Sequence, residues 1–140
     1  GAGVARALQQ LAAANSARSG IDITTDIDYP VAGPNDPIIF AAARELISNV
    51  VRHSRATRAS VTLRAADGVC HLDVVDDGVG MSDQEALRRL QQGHIGIASQ
   101  RARIEAAGGA LRVVPVPTGT HIEVTVPMKP PATGSVAGGA

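Results

Sequence analysis

The sequence predicts an α+β fold, a two-layer sandwich in which helices pack on one face of a mixed sheet. Stretches of helical composition are interleaved with short alternating segments that read as hairpins, and strict strand–helix alternation is absent. The 140 residues suffice for one domain with a real core and are too few for two comfortable ones. A hydrophobic share of 44% against 19% charged is that of a globular chain, and one Tyr, one Phe and no Trp leave the core to Val, Ile, Leu and Ala.

Residues 4–17, VARALQQLAAANSA, carry Ala, Leu and Gln and run out near Gly20, which predicts a first helix. IDITTDI, 21–27, alternates Ile21, Ile23, Thr25 and Ile27 with polar partners and predicts a strand with one buried face. A Pro and Gly cluster at 30–37 ends it. Asp36 ahead of Pro37 predicts an N-cap with proline at the first helical position, and apolar periodicity then continues from Ile38 to about Ser54. ASVTLRA (59–65) and VCHLDVVD (69–76) predict an antiparallel pair joined at Ala66-Asp67-Gly68. Ser82 and Glu85 have capping-box spacing, which predicts a short helix between Met81 and Gly93. A last helix is expected from about Gly96 to Ala107, stopped by Gly108-Gly109. LRVVPV (111–116) and HIEVTV (121–126) then form a second hairpin around Pro117-Thr118-Gly119. The tail 129–140 has nothing to bury and is expected to be disordered.

Composition excludes several classes of function. Thirteen basic and thirteen acidic residues cancel, so no nucleic-acid partner is expected. The single Cys70 forms no internal disulfide and reads as a buried strand thiol, and no apolar run approaches the roughly 20 residues of a membrane helix. Those features suit a soluble domain in a reducing compartment. The four histidines lack metal-ligand spacing, and His71 and His121 read as exposed strand residues.

The chemistry-bearing residues fall in three segments. In RELISNVVRHS, Glu45, Asn49 and His53 recur every four residues with Arg52 three after Asn49, which gathers them within roughly a 100° arc of one helix. Ile39, Ala43, Leu46, Ile47, Val50 and Val51 take the opposite side, so the helix packs apolar-down with its polar row turned outward. In VVDDGVGM, a buried-looking strand ends in Asp76 before Gly78 and Gly80. Such glycines let backbone approach a ligand, and the carboxylate can accept from an exocyclic amine. In GHIGIASQRARIEAAGG, glycines precede a helix whose first N–H groups are free for phosphate oxygens. Each segment alone is an ordinary surface row, turn or helix start; their order is informative.

In that order the segments resemble the GHKL or Bergerat ATPases, the superfamily of gyrase, Hsp90, MutL and histidine kinases. Glu45 and Asn49 match the E-x-x-x-N of the N box, Asp76 to Gly80 match the D-x-G-x-G of the G1 box, Gly96 matches the G2 box, and Gly119-Thr120 resembles the closing glycine–threonine element. The match covers roughly 20–127. Arg52-His53 and the arginine-bearing helix with Arg101 and Arg103 ahead of Gly108-Gly109 look most like sensor histidine kinases of the nitrate-sensor and lipid-fluidity-sensor type. Two departures stand out: His94-Ile95-Gly96 where the G2 box often reads G-x-G, and no phenylalanine-bearing F box.

The resemblance implies a Bergerat fold, ATP and Mg²⁺ as cofactors, and phosphoryl transfer to a histidine. Asn49 would bind the metal and Glu45 would polarise the attacking group, these two being the catalytic pair. Arg52 and His53 would face the phosphates, Asp76 would read adenine, Gly78, Gly80 and Gly96 would admit the nucleotide with His94, Ile95 and Ile97 beside it, and Thr120 would add a bond near the base. It further implies that 1–20 lead in from a dimerisation domain carrying the phosphoacceptor histidine, that 21–128 form the catalytic domain, and that the fragment alone transfers no phosphate. A response regulator, a homodimer and a cytoplasmic domain, with membrane attachment of the full-length protein left open, belong to the same expectation. The alternatives are a serine kinase of the anti-sigma-factor type and a catalytically silent nucleotide-binding module.

Overall fold

A computed structural model describes residues 3–29, 33–53, 55–78 and 95–128, with backbone alone at residues 53 and 95–97. Its elements in chain order are α1 (Gly3–Ser19), β1 (Asp22–Asp28), α2 (Asp36–His53), β2 (Arg58–Ala66), β3 (Val69–Asp76), α3 (Ile95–Ala106), β4 (Ala110–Val114) and β5 (Thr120–Pro127). The expected short helix at 81–93 and the tail at 129–140 lie outside the described residues.

The strands form one mixed sheet in the order β1-β2-β3-β5-β4. β1 runs parallel to β2, with α2 as the connection between them, and every other pairing is antiparallel. Period-two alternation decides which face is covered. Ile23, Val61, Leu63, Cys70, Leu72, Val74, Ile122, Val124 and Val126 are buried on one side, against Leu8, Ile39, Ala43, Leu46, Ile47 and Ile104 of the helices in the same cluster. Val4, Leu8 and Ala12 bring α1 into that core, and Leu8 is fully buried; burying such a side chain contributes roughly 1.5–3 kcal/mol. Cys70 is buried as expected, and burial pushes its thiol up to about 12.

Local chemistry sets the element ends. The β2–β3 turn places Asp67 and Gly68 both at positive φ (54° and 77°), the requirement of a two-residue type I′ hairpin. α3 stops in a Schellman arrangement: Gly108 has φ 90°, the Gly109 N–H bonds the Ile104 carbonyl at 2.8 Å and the Gly108 N–H bonds that of Glu105 at 3.0 Å.

Two expectations are corrected. Asp36 does not cap α2, because its carboxylate accepts from the Tyr29 hydroxyl at 2.6 Å and the Gly33 N–H at 3.0 Å; the first helical bonds run instead from Ile38 and Ile39 to the Asn35 carbonyl. His121 is not a free exposed residue. It is about one-quarter exposed, with Nε2 2.6 Å from Asp73 Oδ1, because Val75, Asp73 and His121 come together across the β3–β5 register on the face away from the helices.

Candidate nucleotide site

The polar row of α2 follows from its sequence, but its setting does not. Ile39, Ala42, Ala43, Leu46, Ile47 and Val50 are buried, as the helical period requires, and Val51 packs at the margin of the same cluster. Glu45 and Arg52 lie on the other side, where Arg52 Nη2 comes within 3.8 Å of Glu45 Oε2, the arginine more than half exposed and the glutamate about one-quarter. At that distance and exposure the pair contributes little to stability. Its consequence is geometric: it spans the turn that carries Asn49.

Asn49 departs from an outward-turned row. Its Oδ1 and Nδ2 are both buried and neither has a hydrogen-bond partner. An amide so placed forfeits its bonds to water without replacement, at a cost of about 1–3 kcal/mol. Buried polar groups are nearly always satisfied, so an orphaned one calls for an explanation, a bound ion or water among them. An amide oxygen is also the kind of neutral hard donor that magnesium accepts, and the residue therefore fits the metal role implied for it.

The second part of the site is the end of β3. Asp76 is buried, with Oδ1 accepting from the Gly78 N–H at 2.8 Å. Burial raises its pKa, the Gly78 bond works against that rise, and the neighbouring Asp77 charge adds to it. Asp77, one residue on, is exposed and fully engaged: Oδ1 accepts from the N–H groups of Thr57 (2.8 Å) and Arg58 (2.9 Å), and Oδ2 from the Thr57 hydroxyl (2.7 Å). Those donors, the Arg58 N–H foremost, hold its pKa down at about 2. Asp77 thus staples the start of β2 to the end of β3 and fixes the strand end from which Asp76 projects.

Gly119 completes this corner. It is buried at φ 76°, and a Cβ there would collide with the Asp76 carbonyl oxygen. Only glycine lets the β4–β5 loop close on the end of β3, which brings Thr120 into register with Asp76. An open groove of about 510 Å³ at the same end is lined by Asp22, Thr24, Ser60 and Val75 along with Asp76 and Asp77; the first four alternate with core residues and so lie on the face away from α2.

The third part is α3, which starts at Ile95 and packs against α2, β4 and β5. Gly96 is thereby in its first turn. The side chains of His53, Ile95 and Ile97, and residues Gly80 and His94 altogether, lie outside what the structure describes. Two residues of this corner, Asp77 and Gly119, have roles that their motifs alone do not show. Asp77 is the second residue of the D-x-G-x-G motif, and the signal for its staple is the Thr57-Arg58 pair opening the neighbouring strand β2. Gly119 was noted as part of a glycine–threonine element, and its signal was a glycine between a turn and a strand. On α3, Gln100 Oε1 is also buried without a hydrogen-bond partner, which no sequence pattern signals.

Comparison with known proteins agrees with this fold. Residues 35–130 match the family described as histidine kinase-, DNA gyrase B- and HSP90-like ATPase. The chain is 56% identical over 127 residues to the sensor histidine kinase NarS of Mycobacterium tuberculosis, which covers 91% of this chain and 30% of that protein. It is 31% identical over 136 residues to the sensor histidine kinase LiaS of Bacillus subtilis, covering 96% of this chain and 37% of that one. The chain thus spans about a third of the length of these curated relatives. Among solved structures, the catalytic domain of histidine kinase ThkA superposes with a TM-score of 0.75 at 15% identity, over 91% of each chain, and supports the fold. Among the described residues no helix is long and apolar enough to cross a membrane. With the N-box helix, the buried Asp76 and the mixed sheet in place, the chain belongs to the histidine kinase-, DNA gyrase B- and HSP90-like ATPase family, as an ATP-binding catalytic domain of the sensor-histidine-kinase kind.

Proposed function

We propose that this domain binds ATP together with Mg²⁺ and, within a longer protein, transfers the γ-phosphoryl group to a histidine on a separate dimerisation domain. The observation that carries the reading is the buried, unpartnered amide of Asn49 one helical turn from Glu45. Asn49 would hold the metal through Oδ1. When bound, Mg²⁺ would supply charge neutralisation at the triphosphate. Glu45 would accept the proton of, or polarise, the attacking group, and its half-buried position beside Asn49 suits that task. Arg52 and His53 would face the phosphates. Arg52 is within reach of Glu45 in the free domain and would exchange that partner for a phosphate oxygen.

Asp76 would accept from the adenine amine, a bond strengthened by its buried setting, and it needs to be ionised or suitably oriented to do so. Gly78, Gly80 and Gly96, with His94, Ile95 and Ile97, would form the backbone cradle, and Thr120, paired with Asp76 across the sheet, would bond near the base. The dimerisation domain would lead in through residues 1–20, 21–128 would form the catalytic unit, and the chain by itself would bind nucleotide without transferring phosphate. A homodimeric full-length protein and a response regulator that receives the phosphate complete the proposal; NarS and LiaS are named as sensor histidine kinases.

The test joins the domain to its dimerisation domain and incubates the pair with γ-labelled ATP. Label that is lost in acid and retained in base identifies phosphohistidine. Acid-stable label would place the chain with the serine kinases instead, and absence of heat on titrating ADP with Mg²⁺ would argue against nucleotide binding altogether.

A further inference from the structure

Among the described residues, three buried side-chain atoms lack a hydrogen-bond partner: both polar atoms of the Asn49 amide and Gln100 Oε1. Gln100 lies on α3, where positions 100, 104 and 107 recur at helical spacing. Ile104 and Ala107 are buried in the core, so Gln100 puts a polar group on the core-facing stripe of the helix, one turn after Gly96. α3 packs against α2, the helix that carries Asn49. The unsatisfied amide of Asn49 and the unsatisfied carbonyl oxygen of Gln100 therefore stand on neighbouring helices, and an apolar residue at position 100 would have continued the core at no such cost.

A buried carbonyl oxygen needs a donor. On a magnesium nucleotide the donors are the adenine amine, the ribose hydroxyls and the waters that remain on the cation, since phosphate oxygens offer none. Water on a cation has given up a lone pair to it and presents both hydrogens outward, so it binds best where acceptors are already fixed. We propose that Gln100 is a further residue of the nucleotide site, its Oε1 accepting a hydrogen bond from water carried by the Mg²⁺ that Asn49 holds. The inference rests on the reading of Asn49 given above. It assigns to the second helix of the site a share in holding the hydrated ion, and it explains why an amide interrupts the core-facing stripe of α3.

Gln100→Met keeps the side-chain length and removes the carbonyl. Two quantities are measured on the whole chain: the melting temperature without ligand, and ADP affinity by calorimetry with Mg²⁺ and with a chelator. The melting temperature should rise by roughly 2–4 °C, because an unsatisfied buried acceptor is gone. The enhancement of ADP affinity by Mg²⁺ should fall about 10-fold, the loss typical of an outer partner of a metal site, and affinity in chelator should stay unchanged. Gln100→Glu retains an acceptor and should keep the enhancement. A loss of equal size in chelator means that the carbonyl meets the ribose instead and overturns the proposal; so does a lower melting temperature with the enhancement intact, the mark of a structural glutamine. If the wild-type chain shows no enhancement by Mg²⁺, the reading of Asn49 falls and takes this inference with it, whereas enhancement equal in wild type and Gln100→Met removes this inference alone.

Discussion

The end of β3 and the edge of α2 are both polar, both marked by a family motif, and opposite in how their hydrogen bonds are met. Asp77 is exposed yet has three donors on its two oxygens, while the amide of the half-buried Asn49 is closed off from solvent and has none. Exposure would have let Asp77 rely on water, and burial should have forced Asn49 to find a partner. The reversal separates the two kinds of work. A surface carboxylate that collects backbone N–H groups is tying strands together, and a buried amide without a partner in the fold is what the proposed metal role of Asn49 requires.

Four substitutions break or sharpen that contrast. The largest effect belongs to Glu45, beside the empty amide: in the intact kinase, Glu45→Gln should slow phosphoryl transfer about 100-fold or more while ADP affinity changes little, measured by single-turnover labelling. Full labelling by this variant would remove the carboxylate from the chemistry and leave the α2 edge a binding surface only. Next comes Gly119→Ala, which forces a side chain into a left-handed conformation and against the Asp76 carbonyl. It should cost about 2 kcal/mol or more in denaturant unfolding and weaken nucleotide binding through the displaced strand end. A neutral result would show that this corner is softer than the contact implies.

Asn49→Leu tests the empty amide directly. Removing both orphaned atoms should stabilise the ligand-free chain by about 1 kcal/mol and abolish the dependence of ADP binding on Mg²⁺. A destabilised variant would mean that Asn49 serves the fold after all, and the contrast with Asp77 would collapse. The smallest effect is the pH dependence of the staple. The Asp77 pKa is lowered from 3.8 to about 2 on folding, so its contribution is fully present above the unfolded value and is lost as pH falls through the folded one. Melting temperatures taken between pH 2 and 4 should therefore show a flatter slope for Asp77→Asn than for wild type. Asp76 has the opposite sign. Its raised pKa favours the protonated form in the fold, so its ionisation costs stability as pH rises through that raised value, and the two adjacent aspartates should be separable by their single variants.

Much of the architecture was legible because it rests on local rules. The alternation in VCHLDVVD gave β3 as Val69–Asp76, Asp67-Gly68 supplied the positive φ of a type I′ turn, and Gly108-Gly109 stopped α3. The misreadings arose where a side chain chose a distant partner over its own helix or solvent. Asp36 turned back to Tyr29 and Gly33, and His121 met Asp73, 48 positions earlier.

By itself, the sequence determined the elements, the buried face of each and the candidates Glu45, Asn49, Asp76 and the motif glycines, because period, φ preference and residue chemistry are properties of a few consecutive residues. Tertiary structure alone decided that Asp77 binds Thr57 and Arg58 across 20 and 19 positions, that Gly119 must be bare where it meets Asp76, and that the Asn49 amide and the Gln100 carbonyl oxygen are closed off from solvent without a partner. Burial and satisfaction depend on what other segments pack around a residue, and that is settled only when the core of the sandwich closes.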